Sequence, residues 1–176
     1  MRTVFKTISL LLLGLWLGAA IFFSAAVAPN VFGVLRAAEL PNASTLAGAV
    51  VARLLSIINQ GGFEIGLFVL VISFFTTRGR KRLARFAEML SLAIMAIMTG
   101  LGHWVVGARL AALRVAMELP VDKIAATDPR RIEFDSLHRY SVVLLSVAII
   151  SALIGFVLVA SRTNKSESRP AGIADN

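Results

Sequence analysis

Cysteine is absent from the chain. That excludes disulfides, zinc–thiolate centres, iron–sulfur clusters and covalent c-type haem attachment. Charge is scarce as well: Asp, Glu, Lys and Arg make up 16% of the 176 residues, where a soluble domain carries roughly a quarter. Five prolines and 13 glycines are too few for a collagen-like or low-complexity body. No GxSxG, HExxH, Walker loop or GxGxxG occurs, so enzyme chemistry has no familiar foothold and a binding protein is expected before an enzyme. What the chain does contain is apolar: 57% of it, with a mean hydropathy of +0.81. This is the composition of an integral membrane protein. The formal net charge of +8 would suggest nucleic acid in a soluble protein. Here it is expected to mark one membrane face, with the lipid bilayer as partner and no nucleic acid.

Charge-free runs locate the spans. Thr7 to Ala28 and Tyr140 to Ser161 are uncharged, and Met89 to Ala108 joins them with His103 neutral. Each reaches the roughly 20 residues that cross about 30 Å of hydrocarbon. Ile65 to Thr77 is too short alone and must recruit Leu54 to Gly62, with Asn59, Gln60 and Glu64 inside. The expectation is an all-α protein: a single membrane domain over 1–161 forming an antiparallel four-helix bundle, with spans near 7–28, 54–77, 86–108 and 139–161. A short interfacial helix is expected near 30–40, and a disordered tail over 162–176. A cleaved signal peptide is the competing reading of the N-terminus, since Arg2 and Lys6 precede an apolar run ending at Ala26-Val27-Ala28. The run exceeds the usual h-region and Pro29 would follow the scissile bond, so the segment is read as helix one.

Lys and Arg set the orientation. Arg2 and Lys6 precede the first span; Arg78, Arg80, Lys81, Arg82 and Arg85 fill the second turn; Arg162, Lys165 and Arg169 follow the last span. With four spans these share one face, which is then cytoplasmic and holds both termini. On the opposite face Glu39, Glu118, Asp122, Asp128, Glu133 and Asp135 offset the basic residues. Asp128-Pro129 is a strong helix start, an N-cap followed by a residue pre-set for the first turn. The helical pattern then runs to about Ser161, and another from about Lys81 to Glu118. Helices two to four are therefore expected to extend two to three turns beyond the bilayer on the outer side.

Polar groups at membrane depth need a partner or a wet cavity. On helix two, Arg53, Gln60 and Glu64 share a face; on helix three, Glu88, Thr99, His103 and Arg114 fall in one arc; on helix four, Arg131, Asp135 and His138 lie together with Ser141 a turn further on. Two readings stand side by side. The stripes are interhelical glue, with Arg131–Asp135 and Asp135–Arg139 as i, i+4 pairs, or they line a polar pocket open to the outer face. The pocket reading places Arg53, Gln60, Glu64, His103, Arg114, Arg131, Asp135, His138 and Ser141 around it, with His138, Arg53 and Arg114 sharing one cavity and Glu64 deeper. His103 and His138 are the weak metal candidates. Helix-end arithmetic offsets them by about 9 Å along the axes, a poor fit for one haem iron. Met95 and Met98 support copper weakly. No cofactor is therefore expected, with haem or copper as the alternative. Gly14-x-x-x-Gly18 and Gly62-x-x-x-Gly66 are helix close-packing signals.

The assembled residues resemble a known family. Leu15-Trp16-Leu17-Gly18, Phe22-Phe23, Val27-Ala28-Pro29 and Phe32 are similar to the first span of the bacterial family catalogued as domain of unknown function 4149, also described as transmembrane protein 205-like. Ala47-Gly48 resembles its small-residue pair. Leu113-Arg114, Asp128-Pro129, Arg131, Phe134, Leu137-His138 and Ser141 resemble its second outer segment. The chain departs from that pattern at Val143, Leu144 and Leu145, where many members carry an Asn. The resemblance spans about residues 8 to 160. It implies a small four-helix membrane protein without an established activity, distantly like the copper resistance protein D and membrane protoporphyrinogen oxidase types. The resulting expectation is a multi-pass protein of the bacterial inner membrane with a periplasm-facing pocket, binding a ligand or assisting transport. A redox protein holding haem or copper is the alternative. A homo-oligomer or a larger membrane complex is open.

Overall fold

The computed structural model describes residues 2–40, 42–77, 81–117 and 121–162. Residues 163–176 of the expected disordered tail, and Arg78, Arg80 and Glu118, lie outside the described residues; Arg162, counted with that tail, is instead held by Glu88, Ser73 and Thr76. Six α-helices follow one another: α1 Arg2–Phe22, α2 Ala28–Ala37, α3 Ala43–Thr76, α4 Arg82–Gly100, α5 Ala108–Met117 and α6 Pro129–Ala160. A π-helical turn at Phe23–Val27 joins α1 to α2, and another at Leu101–Gly107 joins α4 to α5. Four continuous helices result, Thr3–Ala37, Ala43–Thr76, Arg82–Met117 and Pro129–Ala160, each long and apolar enough to cross a membrane. The protein is a multi-pass membrane protein.

The segment expected as a separate interfacial helix near 30–40 is instead a continuation of α1. Pro29 has no N–H to give to the preceding turn, and the widened π turn just before it absorbs that loss without breaking the rod. The chain then reverses through Ala38 to Asn42, with Glu39 in the left-handed region at φ 51°. Asn42 stands at the N-cap of α3, where its carbonyl accepts from Leu46 N. At α6 the expected start is found: the Asp128 carboxylate accepts from Arg130 N at 2.8 Å. The Arg130 guanidinium and amide beside it hold that carboxyl below the usual carboxylate range.

Packing joins α1 to α3 and α6, and α4 to α3 and α6. Leu13, Trp16, Ala20, Val69, Leu92, Met95, Ala148 and Ala152 form the core. Small residues bring the backbones close. A Cβ on Gly66 would lie 3.2 Å from Ala96 Cβ, and one on Gly102 would lie 2.9 Å from Asn59 Nδ2. Gly62 is tighter still, wedged between Trp16 and Thr99. The Trp16 indole crosses from α1 to donate to Ile58 O at 2.8 Å. The Gly62/Gly66 pair is therefore spent inside the chain, on the α3–α4 contact. Two ends can be told apart: a terminal end carrying Lys6, Lys81 and Arg162, and a loop end carrying residues 121–128.

Candidate functional site

Below Asn59 and Gly102 the glycines hold α3 against α4; towards the loop end the helices part. The opening is a cavity of about 900 Å³ walled by α3, the second π turn, α5 and α6, with Phe32 of α2 at its rim. Its polar lining comes from Arg53, Ser56 and Asn59 on α3, His103 and Arg114 on the α4–α5 rod, and Arg131, Asp135, His138 and Ser141 on α6. Leu55, Trp104, Leu110 and Phe134 supply apolar wall.

The floor has a definite height. Ser56 lies about 30 Å along α3 from Thr76, and Ser141 about 29 Å along α6 from Ala160, at 1.5 Å per residue. His103 meets Ser56 at this level, with Ser56 Oγ 3.3 Å from its Nδ1. One hydrocarbon thickness thus separates the terminal end from the cavity floor. Trp104, 53% exposed and stacked edge-on against both His103 and Phe63 at 4.8 Å, stands at the same level. The π turn serves the site directly, since it carries Gly102, His103, Trp104 and Gly107, all on the cavity wall.

Above the floor the guanidinium groups differ in occupation. Arg131 donates to Ile124 O, and its Nε is 3.9 Å from Asp135 Oδ2. That Nε is buried without a hydrogen-bond partner. Arg114 lies over the Phe134 ring, 5.3 Å from the centroid. Among the described residues neither Arg53 nor Arg114 has a carboxylate partner. Arg109 and Glu133 pair outside the cavity at 2.6 Å. Of the two expected i, i+4 pairs, Arg131–Asp135 is present, while Arg139 reaches Ser136 Oγ instead of Asp135.

The sequence-derived residues divide cleanly. Arg53, His103, Arg114, Arg131, Asp135, His138 and Ser141 are brought to one cavity. Gln60 and Glu64 are not: both are exposed on α3, Gln60 Nε2 donating to Glu64 Oε1 at 3.0 Å. They follow Arg53 along one edge of α3, but that edge borders the cavity only above Asn59 and lies on the outer surface below it. Glu64 therefore does not deepen the pocket. Ser56, Asn59 and Trp104 are lining residues the sequence reading passed over; a polar residue every three or four positions on α3 was the available signal. Both histidines share the cavity but not its depth. Gly155 packs on Ser91 and Leu92, and Arg114 on Phe134, a register that sets His138 about 8 Å nearer the loop end than His103. Among the described residues no three His, Asp or Glu side chains cluster as a metal centre.

A second polar cluster lies at the terminal end and was not anticipated. Glu88, fully buried, is bonded by Arg162, which also donates to Ser73 Oγ at 2.6 Å and Thr76 Oγ1 at 3.3 Å. Glu88 and buried Thr99, grouped with His103 by helical periodicity, thus stand apart from the cavity.

Comparison with known proteins gives one finding. No curated protein and no solved structure matches the chain. The model of the family described as domain of unknown function DUF4149 matches residues 11–118. The matched part holds the α3 and α4–α5 walls of the cavity, while the α6 wall lies beyond it. With well over half its length matched, the chain belongs to the DUF4149 family.

Proposed function

We propose that this is a ligand-binding or transport-accessory protein of the bacterial inner membrane, an antiparallel four-helix bundle whose cavity opens to the periplasm. One observation carries the reading: polar stripes on three helices converge on a single cavity of about 900 Å³, within the size range of small-molecule sites. Interhelical glue would leave such groups bonded to one another. Here Arg53 and Arg114 face the cavity without acidic partners among the described residues. The orientation rests on Lys6, Lys81, Arg82, Arg85 and Arg162 at the terminal end, which the positive-inside rule assigns to the cytoplasm. The cavity end then projects beyond the bilayer on the outer side. Gln60 and Glu64, exposed beside Ile57 and Leu67, would suit contact with a second copy or another membrane protein.

Protein purified in mild detergent should carry a small molecule detectable by mass spectrometry of its extract. Ala111→Trp, which fills the cavity, should remove it, and Ile57→Trp on the outer face should not. Identical extracts from all three proteins would refute the binding reading. A redox reading has one supporting observation, that His103 and His138 line the same cavity. Their difference in depth opposes a single iron between them. A Soret band in the purified protein would establish haem.

A further inference from the structure

We infer that the ligand of this cavity is an amphiphilic anion, a phosphate ester head carrying a hydrocarbon chain. The inference rests on the binding reading above and names the chemistry that the cavity selects. Among the described residues its lining holds three guanidinium groups, on Arg53, Arg114 and Arg131, and one carboxylate, that of Asp135. Asp135 lies beside Arg131 alone, so two positive charges remain uncompensated among the described residues. In a partly enclosed space walled by protein such an excess favours an anion. Arg131 adds a specific donor: its Nε is buried, unpartnered, and too far from Asp135 for a hydrogen bond. A ligand oxygen would satisfy it. Guanidinium forks match phosphate oxygens in pairs, which a hydroxyl or carbonyl ligand would not exploit.

The head alone does not account for the rest of the wall. Leu55, Trp104, Leu110 and Phe134 offer apolar surface next to the arginines. Trp104 is both a lining residue and 53% exposed, so the cavity meets the outer surface of the helices at the height of the bilayer boundary. Arg53 lies about one turn above the Ser56 floor, and Arg114 stands above His103 towards the loop end. Arg53 thus stands in the layer that lipid phosphates occupy just outside the hydrocarbon, and Arg114, about 16 Å along its helix from His103, stands above that layer. A head in the cavity with its chain leaving past Trp104 places charge with charge and hydrocarbon with hydrocarbon.

The test is a titration of the purified full chain in detergent with lysophosphatidic acid, lysophosphatidylcholine and inorganic phosphate, read by Trp fluorescence. Lysophosphatidic acid should bind at least tenfold more tightly than lysophosphatidylcholine. Arg53→Gln combined with Arg114→Gln should abolish that preference, whereas Glu64→Gln outside the cavity should keep it. Arg114→Lys retains the charge but loses the fork, and should fall between the two. Should the double Gln variant melt early, the Lys variant carries the comparison. Equal binding of the two lysolipids would overturn the proposal, since the head charge would not be read. Saturation by inorganic phosphate at the affinity of lysophosphatidic acid would also overturn it, by making the chain irrelevant. If Ala111→Trp removes a co-purified molecule while lysophosphatidic acid shows no preference, the binding reading survives and this inference falls.

Discussion

Replacing Glu88 by Ala should lower stability by about 3–5 kcal/mol, the range for orphaning one member of a buried ion pair. Glu88 on α4 has no exposed surface, and the Arg162 side chain is 12% exposed. Arg162 donates to both Glu88 oxygens and to Ser73 and Thr76 on α3, and its own carbonyl accepts from Lys6 Nζ of α1 at 2.6 Å. Arg162 therefore ties together the ends of all four long helices, α3 and α4 through its guanidinium and α1 through its carbonyl. Without the carboxylate, a positive charge stays in a site built to neutralise it. Arg162→Met should cost a similar amount by leaving the buried Glu88 carboxyl without its partner. The double variant Glu88→Leu with Arg162→Met should recover most of the loss, because a matched apolar pair leaves nothing unsatisfied. Thermal melts in detergent would read the single changes as drops of about 10 °C. Unchanged melting of both single variants would mean that water reaches this cluster.

Among the described residues Gly62 should be the least tolerant glycine. A Cβ there would stand 2.7 Å from Thr99 Cγ2 and 2.8 Å from two indole carbons of Trp16. Three helices meet at that point, and the Trp16 ring is held by its bond to Ile58 O. Gly62→Ala should cost about 1–3 kcal/mol by forcing the helices apart, and Gly62→Leu should prevent stable folding. Its neighbour supplies the control. A Cβ on Gly61 would meet nothing within 4 Å, so Gly61→Ala should be neutral or stabilise by up to about 1 kcal/mol through helix propensity. Equal effects of the two substitutions, measured by melting and expression level, would contradict the packing described.

The helices were legible in the sequence because hydrocarbon thickness fixes their length and charge fixes their ends. Asp128-Pro129 named the start of α6 to the residue, as side-chain capping and a preset φ coincide there. The continuity of α2 with α1 is not legible, because sequence alone gives no sign that a π turn will absorb the N–H missing at Pro29. The cavity was legible in part. Arg53, His103, Arg114 and the α6 residues were placed on facing stripes by helical periodicity alone. Glu64 and Gln60 were not separable from Arg53 by that means, since periodicity assigns an edge but not the depth at which neighbouring helices close over it. That depth is set by Gly102 against Asn59, a tertiary contact. The Glu88–Arg162 cluster was hidden for a similar reason: a basic residue after a span reads as topogenic charge, and only packing shows it turned inward.

The central claim is a water-filled cavity between α3, α5 and α6 that opens to the outer face. The absence of native cysteine makes single-cysteine labelling its most direct measurement. Ala52→Cys and Ala111→Cys place thiols on the α3 and α5 walls, and Ile57→Cys places one on the outer surface of α3, 59% exposed, where the account puts lipid. With a membrane-impermeant maleimide applied to intact spheroplasts, the account predicts rapid labelling at 52 and 111 and none at 57. Labelling at 52 and 111 only after the cytoplasmic side is opened, or no labelling at either wall, would contradict it.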